Sequence, residues 1–314
     1  MINSEMEAII PMLTIAIPTY NRPTKIQAQI RLLLPQLNEY VSLVVYDNCS
    51  EPSVGSYFSV EELQKFTLIR NRSNVGADAN IARCFENCTT KWLWTLSDDD
   101  FVKKDAVRFL LEQLSTKSET VFLNFCKGLS FKTRGFNDLA KEFKSAQVFS
   151  SSFTMSACLY NMEKLQSSLQ FYYDNLSSMV GTIILVLKYV QRNEDAVCEF
   201  IDETLIDSYN VQVGWNYSVF IYRTRLFLEA FYDSSNSELD KTLFLGCHIL
   251  NYNLIVLDRN QMKVSYGERW RLFLLTIKTQ GITNSILYSP KKIIEVFRIL
   301  VTQHKSIKRL TSSN

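Results

Sequence analysis

Histidine is nearly absent from this 314-residue chain, and no two cysteines stand at CxxC spacing. His248 and His304 are the two histidines; Cys49, Cys84, Cys88, Cys126, Cys158, Cys198 and Cys247 are scattered singly. A zinc site needs clustered nitrogen and sulfur ligands, so this pattern argues against one and for reduced thiols in a cytoplasmic protein. An excess of one charge is also missing. With 34 basic and 32 acidic residues the formal charge is +2, which gives no footprint for nucleic acid. Long apolar runs are lacking too: the longest, "MVGTIILVL" (179–187), stops at Lys188, too short to cross a bilayer. The opening "MINSEMEAII" is acidic before its first apolar residues, unlike a secretory signal.

What is present suffices for a core: 46% hydrophobic and 21% charged residues. From 13 to 125 short apolar runs alternate with amphipathic segments. "LTIAI", "VSLVVY", "KFTLIR", "KWLWTL" and "TVFLNF" read as strands. "RPTKIQAQIRLLLPQL", "ADANIARCFENC" and "KKDAVRFLLEQL" read as helices, the first with Asn21 as its cap and Pro23 in its first turn. This rhythm predicts an α/β fold, a mostly parallel central sheet flanked by helices. Beyond 126 the rhythm fades. A flexible polar loop is expected around Gly128 and Gly135, a strand within 151–160, a buried helix over 179–191 and a strand after Ala196. From Tyr217 onward the pattern is mostly helical. The expected division is a catalytic domain over 1–212 and a helical extension over 213–314.

In a parallel sheet, ligands gather at the carboxyl ends of the strands. Four polar clusters fall there: "PTYNR", "DNCS", "RNRSNVGADAN" and "SDDD". Adjacent carboxylates after a buried strand are tolerated when a cation or hydrogen-bond donors neutralise them, and hard oxygen ligands suit Mg²⁺ or Mn²⁺. A solvated turn with one aspartate capping the next helix fits the triplet equally well. Tyr20 and Asp47 could supply an aromatic wall and an acceptor for a nucleoside base. Arg72 could pair with phosphate, and Asp78 or Asn80 with a sugar hydroxyl. Turn and cap roles compete for each of these. Trp92 and Trp94 read as packing residues.

Taken together, "AIPTYNR", "VVYDNCS", "RNRSNVGADANIARCFENC" and "WLWTLSDDDF" resemble, in order and spacing, the family 2 glycosyltransferases, which have the GT-A fold. The resemblance covers about 12–125 well and points to bacterial O-antigen and capsule glycosyltransferases, including the abequosyltransferase-like group. It implies a nucleotide-sugar donor and a divalent metal, Mn²⁺ or Mg²⁺, bound through the diphosphate. Pro18, Thr19, Tyr20 and Asp47 would then hold the base and nucleoside, and Arg72 and Asn80 would face phosphate or donor sugar. Asp98 would face ribose or metal, and Asp99 would be the principal metal ligand. Asp100 would support them or touch the sugar, and is one candidate catalytic carboxylate.

One departure concerns the base. Many family members carry "ED" at the start of a helix whose counterpart here begins "GTIILVLKYV", with Gly181 and Thr182 at the acid positions. Glu194 and Asp195 read as a solvated turn. Asp174 is the leading candidate base, with Asp202 behind it. In the tail, "KKIIEVFRILVTQHKSIKRL" (291–310) gathers Ile293, Val296, Phe297, Leu300 and Val301 on one face and Arg298, Lys305 and Arg309 on the other. Such a helix suits either an anionic membrane surface or packing on its own domain. The resulting expectation is metal-assisted transfer to a glycan or undecaprenyl-diphosphate-linked acceptor, in the cytoplasm or peripherally at the inner face of its membrane. Two alternatives stand beside it. A nucleotidyltransferase would want glycine in "IPTYNRPTK", which has none; a non-catalytic nucleotide- or sugar-binding protein would have kept the fold without its base.

Overall fold

The computed structural model describes residues 11–143, 145–207, 226–227, 229–231, 266–281, 283, 293–298 and 301–302. Cys247, His248, His304 and most of the tail therefore lie outside the described residues. The chain divides into two compact units: residues 1–136, 151–176 and 181–210 in the first; residues 137–150, 177–180 and 211–314 in the second.

The first unit is built on an eight-stranded sheet. Its elements begin with β1 (Leu13–Thr19), α1 (Pro23–Leu33), β2 (Val41–Asp47), α2 (Val60–Leu63), β3 (Thr67–Arg70), α3 (Ala77–Glu86), β4 (Trp92–Thr95) and α4 (Ala106–Leu114). All five strands read from the first 125 residues are present, the fifth as β5 (Thr120–Phe125). There follow β6 (Phe131–Arg134), then α5 (Gly135–Glu142) and α6 (Ala146–Phe153), which fall mostly in the second unit, and β7 (Cys158–Asn161), α7 (Met162–Leu165), α8 (Gln170–Tyr173), α9 (Gly181–Arg192) and β8 (Val197–Ile201). The strand order is β3-β2-β1-β4-β7-β5-β8-β6. β3, β2, β1 and β4 run parallel. β7 is antiparallel to β4 and β5, β8 is parallel to β5, and β6 is antiparallel to β8.

Leu13, Ile15, Ala16 and Ile17 on β1, and Trp92, Leu93 and Trp94 on β4, are fully buried. A strand covered on both faces reads as a continuous apolar run rather than an alternating one, which is how both segments read. α1 closes one face through Ile26, Ile30 and Leu33, all fully buried.

Three expectations need correcting. Gly128 lies in a turn at φ 83°, but the residues from Phe131 to Gly135 form β6 and the start of α5, because β6 finds a partner in β8. Gly135, at φ +73°, donates its N–H to the Ala196 carbonyl at 2.8 Å, and a Cβ there would lie 2.6 Å from the Glu194 carbonyl oxygen. Only glycine fits so close to another backbone at positive φ. The expected strand over 151–160 is confined to β7, since α6 takes up its beginning. Asn21 does not cap α1: it sits at φ 52°, Arg22 is the capping position, and the Asn21 amide oxygen accepts the Glu51 N–H at 2.9 Å.

In the second unit the helix Tyr266–Gln280 buries Leu272, Phe273 and Thr276. Within the described part of the tail, Val296 is buried while Ile294 and Phe297 are exposed. Phe297 stands edge-on to Trp270 at 6.3 Å. Among the described residues no helix is long and apolar enough to cross a membrane.

Candidate active site

The four clusters arise from one topological fact. β1, β2, β3 and β4 are parallel neighbours, so the turns that leave them open at the same edge of the sheet. Backbone bonds stitch these ends together: the Asn48 N–H reaches the Thr19 carbonyl, Asn71 that of Asp47, and Leu96 that of Ala16.

The turn Ser97–Asp100 is held from three sides. The Thr19 hydroxyl donates to Asp98 Oδ2 at 2.6 Å, and Arg22 Nη1 donates to Asp98 Oδ1 at 2.7 Å. Asp99 Oδ2 receives Arg22 at 2.9 Å and Lys25 at 3.1 Å, while its other oxygen accepts the Ser97 hydroxyl. Asp100 accepts the Ser156 hydroxyl at 2.7 Å, and Ser156 Oγ in turn accepts the Ser97 N–H at 2.9 Å. From α1, Gln29 donates to the Asp100 carbonyl at 2.8 Å and accepts the Val102 N–H at 3.2 Å. Arg22, Lys25 and Gln29 recur at helical spacing, so one stripe of α1 lines the acidic turn.

Gln29 and Ser156 were not among the sequence-derived candidates. Gln29 left a trace there, a polar residue inside the apolar stripe Ile26, Ile30, Leu33. Ser156 left none, because its role follows from β7 running antiparallel beside β4. Two basic side chains of the same chain compensate part of the triplet: Arg22 pairs with Asp98 and Asp99, and Lys25 with Asp99.

Burial pushes the Asp98 carboxyl above its ordinary value, against the Thr19 and Arg22 bonds. Burial likewise raises Asp100, with the Asp99 and Asp98 charges adding to it and the Ser156 bond opposing it. Asp99 goes the other way: burial acts upward, but the Ser97 hydroxyl, Lys25 and Arg22 outweigh it and hold the group below the usual carboxylate range.

The neighbouring rim is an amide network. Asp47 is fully buried; its oxygens accept the Ser50 N–H at 2.8 Å, the Val54 N–H at 3.3 Å and Arg70 Nη1 at 2.9 Å. Asn48 accepts from Asn71 and from the Val75 N–H, and Asn71 also donates to Asn80. Asn80, nearly fully buried, donates to the Tyr46 carbonyl, so both ends of its amide hold the fold. Pro18 is half-buried, whereas Tyr20 and Arg72 are exposed. Arg72 forms no ion pair among the described residues.

Asp174 ends α8 on the surface, and its recorded side-chain partner is Gln170 at 3.4 Å. Among the described residues no hydrogen bond or ion pair joins it to the acidic turn. Asp202 is bonded to the Gly128 N–H and Lys127. Glu194 and Asp195 lie in an exposed turn, as read. The structure gives a reason for glycine at 181: a Cβ there would lie 2.3 Å from the Tyr172 ring, which is buried against α9. No acid can be placed at that position without moving Tyr172.

As a metal seat the turn is incomplete. Among the described residues no three His, Cys, Asp or Glu side chains converge to hold an ion. The donor set is still chemically suited to a hard divalent cation, because Asp98 and Asp99 present carboxylate oxygens and Asp99 stands at the open edge, 27% exposed. The remaining ligands would have to come from a bound diphosphate and water.

Residues 14–145 match the family model described as glycosyl transferase family 2. An uncharacterized glycosyltransferase of Haemophilus influenzae is 24% identical over 139 residues, a stretch covering 44% of this chain and 46% of that relative. The aligned stretch thus spans less than half of the relative's length. Among solved structures, S. aureus TarS 1–349 superposes with a TM-score of 0.59 at 11% identity, covering 94% of this chain and 91% of that one. Its complex with UDP-GlcNAc gives 0.58 at 12% identity, covering 94% and 92%. At such identities the likeness is one of fold. Residues 14–145 are thus similar to the family 2 glycosyltransferases, and the architecture is that of the GT-A fold.

Proposed function

We propose that this protein transfers a sugar from a nucleotide-diphosphate donor to a glycan or undecaprenyl-diphosphate-linked acceptor in bacterial surface polysaccharide synthesis, as in O-antigen or capsule. The observation that carries the reading is the acidic turn Ser97–Asp100, bonded to Thr19 and α1 at the edge where four parallel strands end. Support comes from the family match and from S. aureus TarS, whose structures include complexes with UDP-GlcNAc and UDP.

In this reading Tyr20 and Pro18 wall the base. Thr19 fixes Asp98, and Asp47 orients the rim through Ser50, Val54 and Arg70. A direct bond from Asp47 to a base would require one of those donors to leave. Arg72 reaches toward phosphate from an exposed position, and Asn80 braces the rim beneath it. Asp98 and Asp99 would hold Mn²⁺ or Mg²⁺, which when bound supplies positive charge to the departing diphosphate. Asp174 is the proposed base for the acceptor hydroxyl, which requires α8 and the acceptor to meet; Asp100, already bonded to Ser156, serves the turn instead. Residues 1–212 form the catalytic part and 213–314 an extension. The tail helix is the proposed contact with the inner face of the cytoplasmic membrane.

The test is a thermal-shift panel of UDP, GDP, CDP and dTDP, each with and without Mn²⁺. Stabilisation by one nucleotide that depends on Mn²⁺ is expected. A flat response to all four would overturn the donor-site reading in favour of a binding module that has lost its ligand.

A further inference from the structure

The cations that stand at the acidic turn belong to the chain itself. Arg22 Nη1 bridges Asp98 and Asp99 at 2.7 and 2.9 Å, and Lys25 Nζ lies 3.1 Å from the same Asp99 oxygen. Both basic side chains are about two-fifths exposed, 42% and 40%, so their heads sit at the open edge and can move. Neither has another carboxylate partner among the described residues. Asp99 Oδ2 is thus engaged twice over.

A divalent ion cannot share that oxygen with an ammonium and a guanidinium without strong like-charge repulsion. Whatever places a metal on Asp99 must release Lys25 and loosen Arg22. The released heads would then stand beside the ion and need anionic partners. A diphosphate arriving with the ion supplies them, because guanidinium and ammonium groups are strong phosphate donors. The charges also match. A divalent cation and the two phosphates of a nucleotide-sugar bring equal and opposite charge, so the balance at the turn is the same before and after.

We infer that Arg22 and Lys25 are diphosphate-binding residues of the donor site, held on Asp98 and Asp99 until a divalent cation takes those carboxylates and then passed to the phosphate oxygens. The inference rests on the donor-site reading above and assigns phosphate contacts to Arg22, which ends the "PTYNR" cluster, and to Lys25 beyond it, neither of which had been given a role.

The experiment uses the full chain and Lys25→Met. Mn²⁺ binding without nucleotide is measured by electron paramagnetic resonance, and binding of the best-stabilising nucleoside diphosphate at saturating Mn²⁺ by calorimetry. The variant should bind Mn²⁺ alone about tenfold more tightly and the nucleotide about tenfold more weakly, the loss of one charge-assisted contact in each state. Opposite signs are the signature, since a lysine that merely pins the turn would shift both affinities the same way. Lys25→Gln, which keeps a polar tip, should give the same two signs, and melting temperatures establish that each variant folds. Unchanged affinities, or both moving together, overturn the inference alone if the wild type binds nucleotide. Failure of the wild type to bind any of the four nucleotides overturns the inference and the donor-site reading together.

Discussion

The parallel half of the sheet, β3-β2-β1-β4, and the mixed half, β7-β5-β8-β6, each set buried apolar strands inside a more exposed edge strand yet differ in what their ends carry. In the parallel half every carboxyl end points to one edge, so Tyr20, Asp47, Asn71 and Asp98 are gathered there although they are spread over nearly eighty residues of chain. In the mixed half β5 and β8 keep the direction of β4 while β7 and β6 run against it, so the carboxyl ends are divided between the two edges. What the mixed half contributes is support. Because β7 runs antiparallel to β4, the residues just before β7 lie beside those just after β4, and Ser156 clamps both Ser97 and Asp100. A close backbone approach, Gly135 against Glu194, sits at the opposite end of β8 from Asp202 and serves β6 pairing. Strand direction, more than composition, separates the half that carries the site from the half that holds it.

Substitutions can break this division or sharpen it. The largest effect is expected from Asp99→Ala in the parallel half: loss of Mn²⁺-dependent nucleotide binding and a fall in transfer of at least about 100-fold, with the fold intact. Asp99 is partly exposed, so a cooperative melt near that of the wild type should accompany the loss. Unchanged nucleotide affinity with and without Mn²⁺ would remove Asp99 as the metal seat. Next comes Asp174→Asn, which asks whether the region between β7 and β8 supplies chemistry as well as support. Loss of a general base should slow transfer by about 100-fold while donor affinity stays within about twofold. Wild-type turnover would dismiss Asp174 and leave the mixed half purely structural.

Ser156→Ala tests the clamp that joins the halves. It leaves the Ser97 N–H and the Asp100 carboxylate without their partner, a cost of about 1 kcal/mol for such part-buried groups, and should lower donor affinity several-fold. Calorimetric melting and nucleotide titration read the two effects; stability lost without affinity would mean that the clamp does not reach the site. Gly135→Ala should have the smallest effect on binding, close to none. It should still cost about 1–3 kcal/mol of stability, because alanine must adopt φ near +73° with its Cβ against a carbonyl oxygen. A loss of nucleotide binding in a folded Gly135→Ala protein would show that strain in the mixed half does propagate to the site.

Much of the site was legible because it rides on local signals. Apolar runs of strand length, a helix between each pair and polar clusters at every strand end are all short-range patterns, and they placed Thr19, Tyr20, Asp98 and Asp99 at one edge. The misreadings share a cause of the opposite kind. The polar stretch around Gly128 and Gly135 looked like a loop because β6 is an edge strand; its order comes from pairing with β8, more than sixty residues away. Asn21 looked like a helix cap, but its backbone N–H and its amide oxygen bond the Ser50–Glu51 turn instead. Asp47 and Asn80 were read as groups free to meet a ligand, and the structure shows their hydrogen-bonding capacity already engaged within the rim.

The sequence by itself determined the class of fold and the presence of an acidic, metal-suited turn after the fourth strand, because hydrophobic period and turn chemistry are written residue by residue. Only the tertiary structure decided what neutralises that turn. Arg22, Lys25 and Gln29 come to it from more than seventy residues earlier in the chain and Ser156 from more than fifty residues later, through the pairing of β4 with β1 and β7. Electrostatic balance depends on distance in space, which no pattern along the chain records.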